Sequence, residues 1–126
     1  MNMKYLKSFL ESNSEQQLEV DSEDVEIIKG LFTDIEDEFD LYESSGFEKN
    51  TFHIRIIYFS FTDEDNRISV RKEIRVELRL EYNVNKENLQ KRWKEFLENA
   101  YSYGYKIGSK YDSTEHYLGC NLIYNQ

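Results

Sequence analysis

The feature that most constrains the fold is an almost unbroken alternation of apolar and polar, mostly charged, residues between positions 68 and 82. The apolar set comprises Ile68, Val70, Ile74, Val76, Leu78, Leu80 and Tyr82, and the charged set comprises Arg71, Glu73, Arg75, Glu77, Arg79 and Glu81. Because side chains alternate across a strand, this period of two predicts a strand with one buried and one exposed face. Lys72 interrupts the apolar set, which indicates a bulge or the end of an edge strand.

Residues 52 to 61 predict a second strand, since they are β-branched or aromatic almost throughout. Both faces of this segment become apolar toward its end, which favours a central position or cover on both sides. The polar residues 63 to 66 form a turn between the two segments. A long antiparallel hairpin is therefore the centre of the predicted sheet.

A helical periodicity precedes the hairpin. Asp21 is the predicted N-cap, because Val20 and Val25 occupy the two positions of a hydrophobic staple around it. The apolar stripe of this helix consists of Val25, Ile28, Phe32, Ile35, Phe39 and Tyr42. Its spacing of three and four residues predicts about six turns, ended by Gly46 with Phe47 in contact with Tyr42.

A second long helix follows the hairpin. Asn85 is its predicted N-cap, and the helix ends by Gly108. Its apolar face consists of Leu89, Trp93, Phe96, Leu97, Ala100 and Tyr101. Residues 115 to 124 alternate again and predict a closing strand, with Cys120 on its inward face.

These segments predict a single α+β domain over residues 1–126, with the element order α-α-β-β-α-β. The first of these helices is a short leading helix or arm within residues 1–14, where Met3, Leu6 and Leu10 have helical spacing. The hairpin and the C-terminal strand form a small antiparallel sheet that packs against two main helices. A single cysteine and the lack of eighteen consecutive apolar residues predict a cytoplasmic protein without a membrane span.

Charge is divided unevenly along the chain. Residues 11 to 48 hold fourteen acidic residues and a single base, whereas the other 88 residues carry fifteen bases and eleven acids. The acidic block coincides with the first long helix, so its carboxylates form an organised surface. The predicted partner-binding residues there are Asp34, Glu36, Asp37, Glu38 and Asp40. With a net charge of −9, we expect a protein partner with a basic surface rather than nucleic acid or a membrane. A solvated helix face is the alternative.

Tyrosines are concentrated near the end of the chain, with six between positions 101 and 124. Tyrosine combines apolar area with a polar tip and is enriched at interfaces. We expect Tyr103, Tyr105 and Tyr111 to contribute to a partner-binding surface, with partial burial in the core as the alternative. The apolar outer side of residues 57 to 61 adds the possibility of a homo-oligomer.

The charged row over residues 71 to 81 has a purely structural interpretation. Opposite charges on neighbouring strands stabilise a sheet by about 0.2–1 kcal/mol for each pair and need no partner. RNA recognition would require exposed aromatic residues beside the arginines, whereas acids alternate with them here. We therefore expect this face to be solvated.

The sequence offers few groups for catalysis near neutral pH. A small hydrolase or nuclease that pairs His53 with His116 is a distant alternative. Cys120 is expected to behave as a small buried apolar residue. The acidic turn over residues 63 to 65 lacks the glycine and terminal glutamate of a calcium loop. We therefore predict a non-enzymatic protein with no cofactor and no metal.

The stretch Met3-Lys4-Tyr5-Leu6-Lys7-Ser8-Phe9-Leu10-Glu11 resembles the short leader found on many small proteins of large tailed bacteriophages. Some of those leaders look like head-targeting peptides cut after a glutamate, although Phe9 stands where leucine or isoleucine is usual. The resemblance implies an accessory protein that binds and inhibits a host or defence protein, or a minor virion component. We favour the accessory protein.

Overall fold

A computed structural model of the chain describes residues 19–46, 48–81 and 84–125, and these form two helices and five strands. The elements in chain order are α1 (Ser22–Glu38), β1 (Tyr42–Glu43), β2 (Thr51–Thr62), β3 (Ile68–Arg79), α2 (Lys86–Ser102), β4 (Tyr105–Ser113) and β5 (Tyr117–Tyr124). The predicted α+β class is therefore confirmed. Four predictions lie outside the described residues: the leading helix, the leader-like stretch 3–11, the Phe47 contact and the position of Tyr82.

The strands form one sheet in the order β1-β2-β3-β5-β4. The predicted hairpin is confirmed, since β2 and β3 pair antiparallel from Thr51 opposite Arg79 to Thr62 opposite Ile68. The predicted C-terminal strand is also confirmed, and it pairs with the other edge of β3. The sheet is mixed rather than purely antiparallel, because the short strand β1 pairs parallel to β2.

Helix α1 begins as the sequence predicts. Asp21 accepts a hydrogen bond from the Glu23 amide, and the Asp24 carboxylate accepts one from the Asp21 amide at 2.7 Å, which completes a capping box. Val20 and Val25 are both buried, as a hydrophobic staple requires. The cap and staple together fix where the chain enters the helix.

The predicted end of α1 at Gly46 is wrong. The helix stops at Glu38, and Asp40 takes a left-handed conformation with φ of 53°. The Leu41 amide then donates to the Glu36 carbonyl at 2.9 Å, which is the outer bond of a Schellman motif. Aspartate tolerates this conformation better than most residues. Tyr42 consequently lies in β1 rather than on the helix stripe.

Helix α2 begins at the predicted N-cap, where the Asn85 side chain accepts from the Asn88 amide at 3.1 Å. It ends at Ser102, before Gly108 as predicted, and Gly104 follows with φ of +98°. Strand β4 comes next, an element that the sequence analysis missed. It pairs with β5, with a break in register between Ile107 and Tyr111. That break interrupts the alternation by which a strand is recognised.

Both helices pack on one face of the sheet. Phe32 of α1 contacts Phe52 of β2 and Phe96 of α2, with ring centroids 5.0 and 5.4 Å apart. The predicted inward residues Ile74, Val76, Leu78 and Leu80 are all buried in this core. Ile68 and Val70 are exposed, contrary to prediction, because they flank the turn at the tip of the hairpin.

Cys120 is fully buried in the same core, as predicted. Burial raises the pKa of its thiol to about 12, so the reactive thiolate is scarce near neutral pH. Within the described residues, no helix has the length and apolar character needed to cross a membrane.

Candidate functional site

The sheet face opposite the helices carries the charged row of β3. The sequence predicts that this row is solvated, but its central residues are buried. Glu73 is 0% exposed and Arg75 is 5% exposed. The physical reason is strand β4, whose irregular segment between Ile107 and Tyr111 brings polar groups onto this face. Glu73 and Arg75 therefore form a buried polar network, whereas the other members of the row are half-buried or, at Glu81, exposed.

Glu73 is held by four groups on three strands. Its carboxylate accepts hydrogen bonds from the Ser109 amide and hydroxyl, from the Asn121 amide at 2.9 Å and from Arg71 Nε at 2.9 Å. Burial alone would raise the pKa of Glu73, but these bonds outweigh it and hold the pKa below its ordinary value. The carboxylate is therefore charged and fully bonded at neutral pH.

Arg75 lies next to it and is similarly saturated. Its guanidinium donates to Glu77 at 3.2 Å, to Asn121 Oδ1 at 3.1 Å and to Asp112 at 2.6 Å, as well as to the Tyr117 hydroxyl. Burial alone would lower the pKa of Arg75, but its hydrogen bonds to Asp112 and Tyr117 outweigh burial and raise the pKa overall. Arg75 is thus a fixed positive charge with four of its five N–H donors in use.

A concave groove of about 400 Å³ opens above this network. One wall is the loop after β1 at Ser44–Gly46, and the other is β4 at Lys110. We call this space the sheet groove. Its lining comprises Ser44, Ser45, Gly46, Thr51, Phe52, His53, Arg55, Ile57, Arg75, Glu77, Arg79, Lys110, Tyr117 and Asn121.

The sheet groove is positively charged although the chain carries a net charge of −9. It holds Arg55, Arg75, Arg79 and Lys110 against one lining carboxylate, Glu77. A second carboxylate, Asp112, binds Arg75 and lies 3.7 Å from Lys110 Nζ. Basic side chains therefore outnumber carboxylates among the residues that line this groove. Concave walls of low polarisability strengthen the field of such an excess.

His53 lies in this groove beside Arg55, with its Nδ1 2.8 Å from Arg55 Nη1. Partial burial and the Arg55 charge lower the pKa of His53, so the ring is neutral at physiological pH. His116 lies in the turn before β5. Strand β3 lies between β2, which carries His53, and β5, so the two histidines are separated by two strand spacings of about 4.8 Å each. The structure therefore does not bring together the acid–base pair of the hydrolase alternative.

The acidic residues of α1 lie on the opposite side of the molecule from the sheet groove. Asp34, Asp37 and Asp40 are exposed, and none of them takes part in an ion pair among the described residues. We call these three residues the acidic surface. Glu38 is instead bonded to α2, since its carboxylate accepts hydrogen bonds from Arg92 Nε at 2.8 Å and from the Asn88 side-chain amide. Glu36 is half-buried, two residues away from Asp34 and Glu38 and hence on another side of the helix.

The predicted tyrosine surface is only partly present. Tyr103 and Tyr111 are 64% and 46% exposed. Tyr105 is 2% exposed, so its assignment to a partner-binding surface is wrong: its hydroxyl donates to buried Asp24 at 2.6 Å. That bond places Tyr105 at the first turn of α1, about 15 Å along the helix from Asp34. Tyr103 and the acidic surface therefore do not form one continuous patch.

Sequence analysis missed the polar partners of the β3 row. They are Ser109, Asp112, Tyr117 and Asn121. A signal existed for two of them, because Tyr117 and Asn121 alternate with Leu118, Cys120 and Leu122 and so belong to the outer face of β5. The other two lie on the missed strand β4.

The remaining chemistry of the described residues is limited. Across 19–46, 48–81 and 84–125, no group of three or more His, Cys, Asp or Glu side chains is placed to hold a metal ion. No protein-family model, no curated protein and no solved structure matches the chain. The described part of this small α+β fold therefore offers two surfaces for function, the acidic surface and the sheet groove.

Proposed function

We propose that this chain is a non-enzymatic accessory protein, encoded by a tailed phage and acting in the host cytoplasm. In this proposal the acidic surface binds a protein partner that presents a basic surface. The leader-like stretch at residues 3–11 supports the phage source. The placement of the acidic surface at the end of α1 carries the binding proposal.

That placement is unfavourable for folding. The C-terminal end of a helix carries the negative end of the helix dipole, and each acidic residue there costs about 0.3–1 kcal/mol at an exposed position. Asp37 lies in the last turn of α1 and Asp40 lies just beyond it, and that last turn contains no basic residue. Residues that reduce stability are typical of binding sites, where function opposes stability.

The acidic surface is also held rigidly. At its near end, Glu38 is paired with Arg92 of α2 at 2.8 Å. At the far end of α1, Asp24 accepts hydrogen bonds from Tyr105 and Tyr124. A rigid charged surface loses little conformational entropy on binding, which favours association with a partner of opposite charge.

The test is a triple variant, Asp34→Asn, Asp37→Asn and Asp40→Asn. The wild-type protein and the variant are used as baits in a bacterial lysate, and bound proteins are quantified by mass spectrometry at low and raised salt. We expect at least one basic protein to bind the wild type, to bind the triple variant about tenfold less and to be released by salt. The variant itself is expected to be as stable as the wild type, or more stable by about 0.5–1 kcal/mol, because unfavourable charges leave the helix end.

The matched control is Glu64→Gln, Glu87→Gln and Glu98→Gln, which changes the net charge equally at exposed positions outside the acidic surface. The control should bind as the wild type does. Equal loss of binding in both variants would mean that only net charge matters. Unchanged binding of the triple variant would contradict the proposal directly.

A further inference from the structure

Strand β2 has one backbone edge that is open over most of its length. In the sheet order β2 lies between β3 and the short strand β1, and β1 pairs with it only at Thr51 and Phe52. Within the part of the chain that the structure describes, residues 54–62 pair on one side only, with β3. We call residues 54–62 the free edge. We propose that two copies of this chain pair antiparallel through their free edges, about a two-fold axis at Tyr58.

The backbone groups of the free edge point away from β3 at every second residue. The Ser44 amide donates to the Phe52 carbonyl at 2.9 Å, so the backbone groups of Phe52 face β1. The Asp63 amide donates to the Arg67 carbonyl at 3.0 Å, so those of Asp63 face β3. These directions alternate along an antiparallel strand, and the register of β2 with β3 is unbroken. The outward-facing residues are therefore Ile54, Ile56, Tyr58, Ser60 and Thr62.

The opposite edge of the sheet, strand β4, differs from the free edge in the features that prevent strand pairing. Its register with β5 breaks between Ile107 and Tyr111, and it carries Lys106 and Lys110. Bulges and lysines are common means by which proteins keep edge strands apart. The free edge contains no lysine and no proline. One edge of the sheet is thus protected, whereas the other presents an unbroken row of donors and acceptors to a further strand.

Apolar side chains are exposed at the end of the hairpin near its turn. On the helix side of the sheet, Tyr58 is 68% exposed, Ile68 is 78% exposed and Val70 is 54% exposed. The other end of β2 is covered, since Phe52 is buried against Phe32 of α1. Antiparallel pairing places the covered end of one copy beside the open end of the other. The two ends of the hairpin therefore complement each other in a pair of identical chains.

The register of the pair follows from the length of the free edge. Pairing over all of residues 54–62 brings Ile54 opposite Thr62 of the second copy, and hence Tyr58 opposite its own counterpart. A shift that moves Thr62 past Ile54 is blocked, because β1 already occupies the edge at Phe52. Each facing pair of outward residues exchanges two hydrogen bonds.

The side chains that meet in this register suit a second copy of the same chain. On the face of the sheet groove, Ile57 lies opposite Phe59 of the second copy, which is a favourable pairing of a β-branched and an aromatic residue. Arg55 lies opposite Phe61 of the second copy, whose ring packs on the apolar stem of the arginine. No two like charges face each other between Ile54 and Thr62, because Arg55 is the only charged residue of the free edge.

The charges at the ends of the free edge are also complementary. The hairpin turn begins with Asp63, which comes opposite His53 of the second copy. His53 lies 2.8 Å from Arg55 Nη1, and the Arg55 side chain is 45% exposed. An acidic turn thus meets a basic strand end at both ends of the pair, which favours antiparallel association of two copies. This complementarity identifies the occupant of the free edge as a second copy of this chain.

The first measurement is the mass of the full-length protein in solution by sedimentation velocity. We expect the average mass to rise from one chain toward two as the concentration increases from about 1 µM to about 500 µM. A mass of one chain over the whole range would overturn the proposal. It would mean that the free edge is left unpaired or is covered within the same chain.

The test variant is Ser60→Pro, which removes an outward N–H and leaves the bonds to β3 in place. The matched control is Ser113→Pro on β4. The Thr114 amide donates to the Tyr117 carbonyl of β5, so the N–H of the preceding residue, Ser113, points away from β5. We expect Ser60→Pro to weaken association at least tenfold and Ser113→Pro to change it by less than about twofold. Equal effects of the two substitutions, or no effect of Ser60→Pro, would overturn the proposal. Thermal unfolding checks that both variants are folded.

A second variant tests the register without changing the backbone. With Tyr58→Cys, the two introduced thiols face each other across the axis, where Cα atoms about 5.5 Å apart suit a disulfide. Tyr103→Cys is the control, because Tyr103 is 64% exposed but lies outside β2. The native Cys120 is fully buried in both variants.

Under mild oxidation we expect Tyr58→Cys to give at least tenfold more disulfide-linked dimer than Tyr103→Cys. Similar yields from the two variants would overturn the proposal. The lysate test of the acidic surface is separate from these measurements, because it changes Asp34, Asp37 and Asp40, none of which lies on β2.

Discussion

Single residues in this protein take roles that their position in the sequence does not reveal. Tyr105 and Tyr103 are two residues apart at the end of α2, yet one is in the core and the other is on the surface. Asp24 belongs to an acidic block but is 2% exposed and accepts hydrogen bonds from two tyrosines. In each case the fold supplies a partner from a distant part of the chain.

The tyrosine pair gives a direct test at this scale. Tyr105→Phe removes a donor from the buried carboxylate of Asp24, and hydrogen bonds to charged groups contribute about 1.5–3 kcal/mol. We expect the free energy of unfolding in urea to fall by about that amount. Tyr103→Phe is the control and should change it by less than about 0.5 kcal/mol, because that side chain is exposed. Equal effects would contradict the assignment of Tyr105 to the core.

Glu73 gives a prediction about pH. Its pKa is lower in the folded protein than the ordinary value of 4.5. The unfolded chain therefore binds more protons just below pH 4.5, so the stabilisation from Glu73 is present above that pH and is lost as the pH falls through the folded pKa. Acid should thus destabilise the wild type partly through this residue.

The measurement is urea unfolding of the wild type and Glu73→Gln between about pH 7 and pH 3. We expect the variant to be less stable at neutral pH by about 1–3 kcal/mol, since a buried charged acceptor is lost. The difference should shrink as the pH falls. Glu98→Gln, at an exposed site on α2, is the control. A difference that stays constant with pH would show that Glu73 does not contribute through its charge.

At the scale of elements, strand β4 decides the character of the outer sheet face. The alternation in β3 correctly predicts which residues face the helices and which face away. Alternation alone cannot show whether the outer face is covered, because that depends on a strand far along the chain. Three consecutive residues without apolar side chains, Gly108, Ser109 and Lys110, interrupt the alternation of β4 and conceal it in the sequence. The same segment brings the Ser109 hydroxyl to Glu73.

Close packing of the polar network predicts a sensitive glycine in β5. A Cβ at Gly119 would lie 2.7 Å from Arg75 Nη2 and 2.7 Å from the Tyr117 hydroxyl oxygen. Arg75 Nη2 donates hydrogen bonds to the Tyr117 hydroxyl and to Asp112, which hold both groups in place. Gly119→Ala should therefore displace Arg75 and reduce the free energy of unfolding by about 1–3 kcal/mol.

Gly30 is the matched control for this substitution. It lies on the exposed side of α1, and a Cβ there meets no atom within 4 Å. Gly30→Ala should stabilise the protein by about 0.5–1 kcal/mol, because alanine loses less backbone entropy in a helix. Chemical denaturation of both variants checks the two signs. Stabilisation by Gly119→Ala would mean that Arg75 moves aside without loss.

At the scale of the whole molecule, the uneven charge of the sequence becomes two separate surfaces. The helices carry the acidic surface on one side of the sheet, and the sheet groove concentrates positive charge on the other. The acidic surface has a proposed partner of opposite charge. A net charge of −9 by itself would suggest only repulsion of anions. The distribution of the charges in space, rather than their sum, is what places a groove lined by basic residues in an acidic protein.

The local features of this protein could be predicted from its sequence. The caps at Asp21 and Asn85, the hairpin and the inward positions of β3 follow from short-range rules, since they depend on residues close together in the chain. The early end of α1 did not follow, because Asp40 replaces the glycine usually found at such a position.

Tertiary structure alone decided the rest. Arg75 meets Asp112 and Asn121, which are 37 and 46 residues away, and Tyr105 meets Asp24 across 81 residues. Pairing over such distances depends on strand order and on the break in β4, neither of which leaves a periodic signal. The sequence therefore determined which residues are charged and on which face they lie. Only the fold decided which charges are buried with partners and which are exposed.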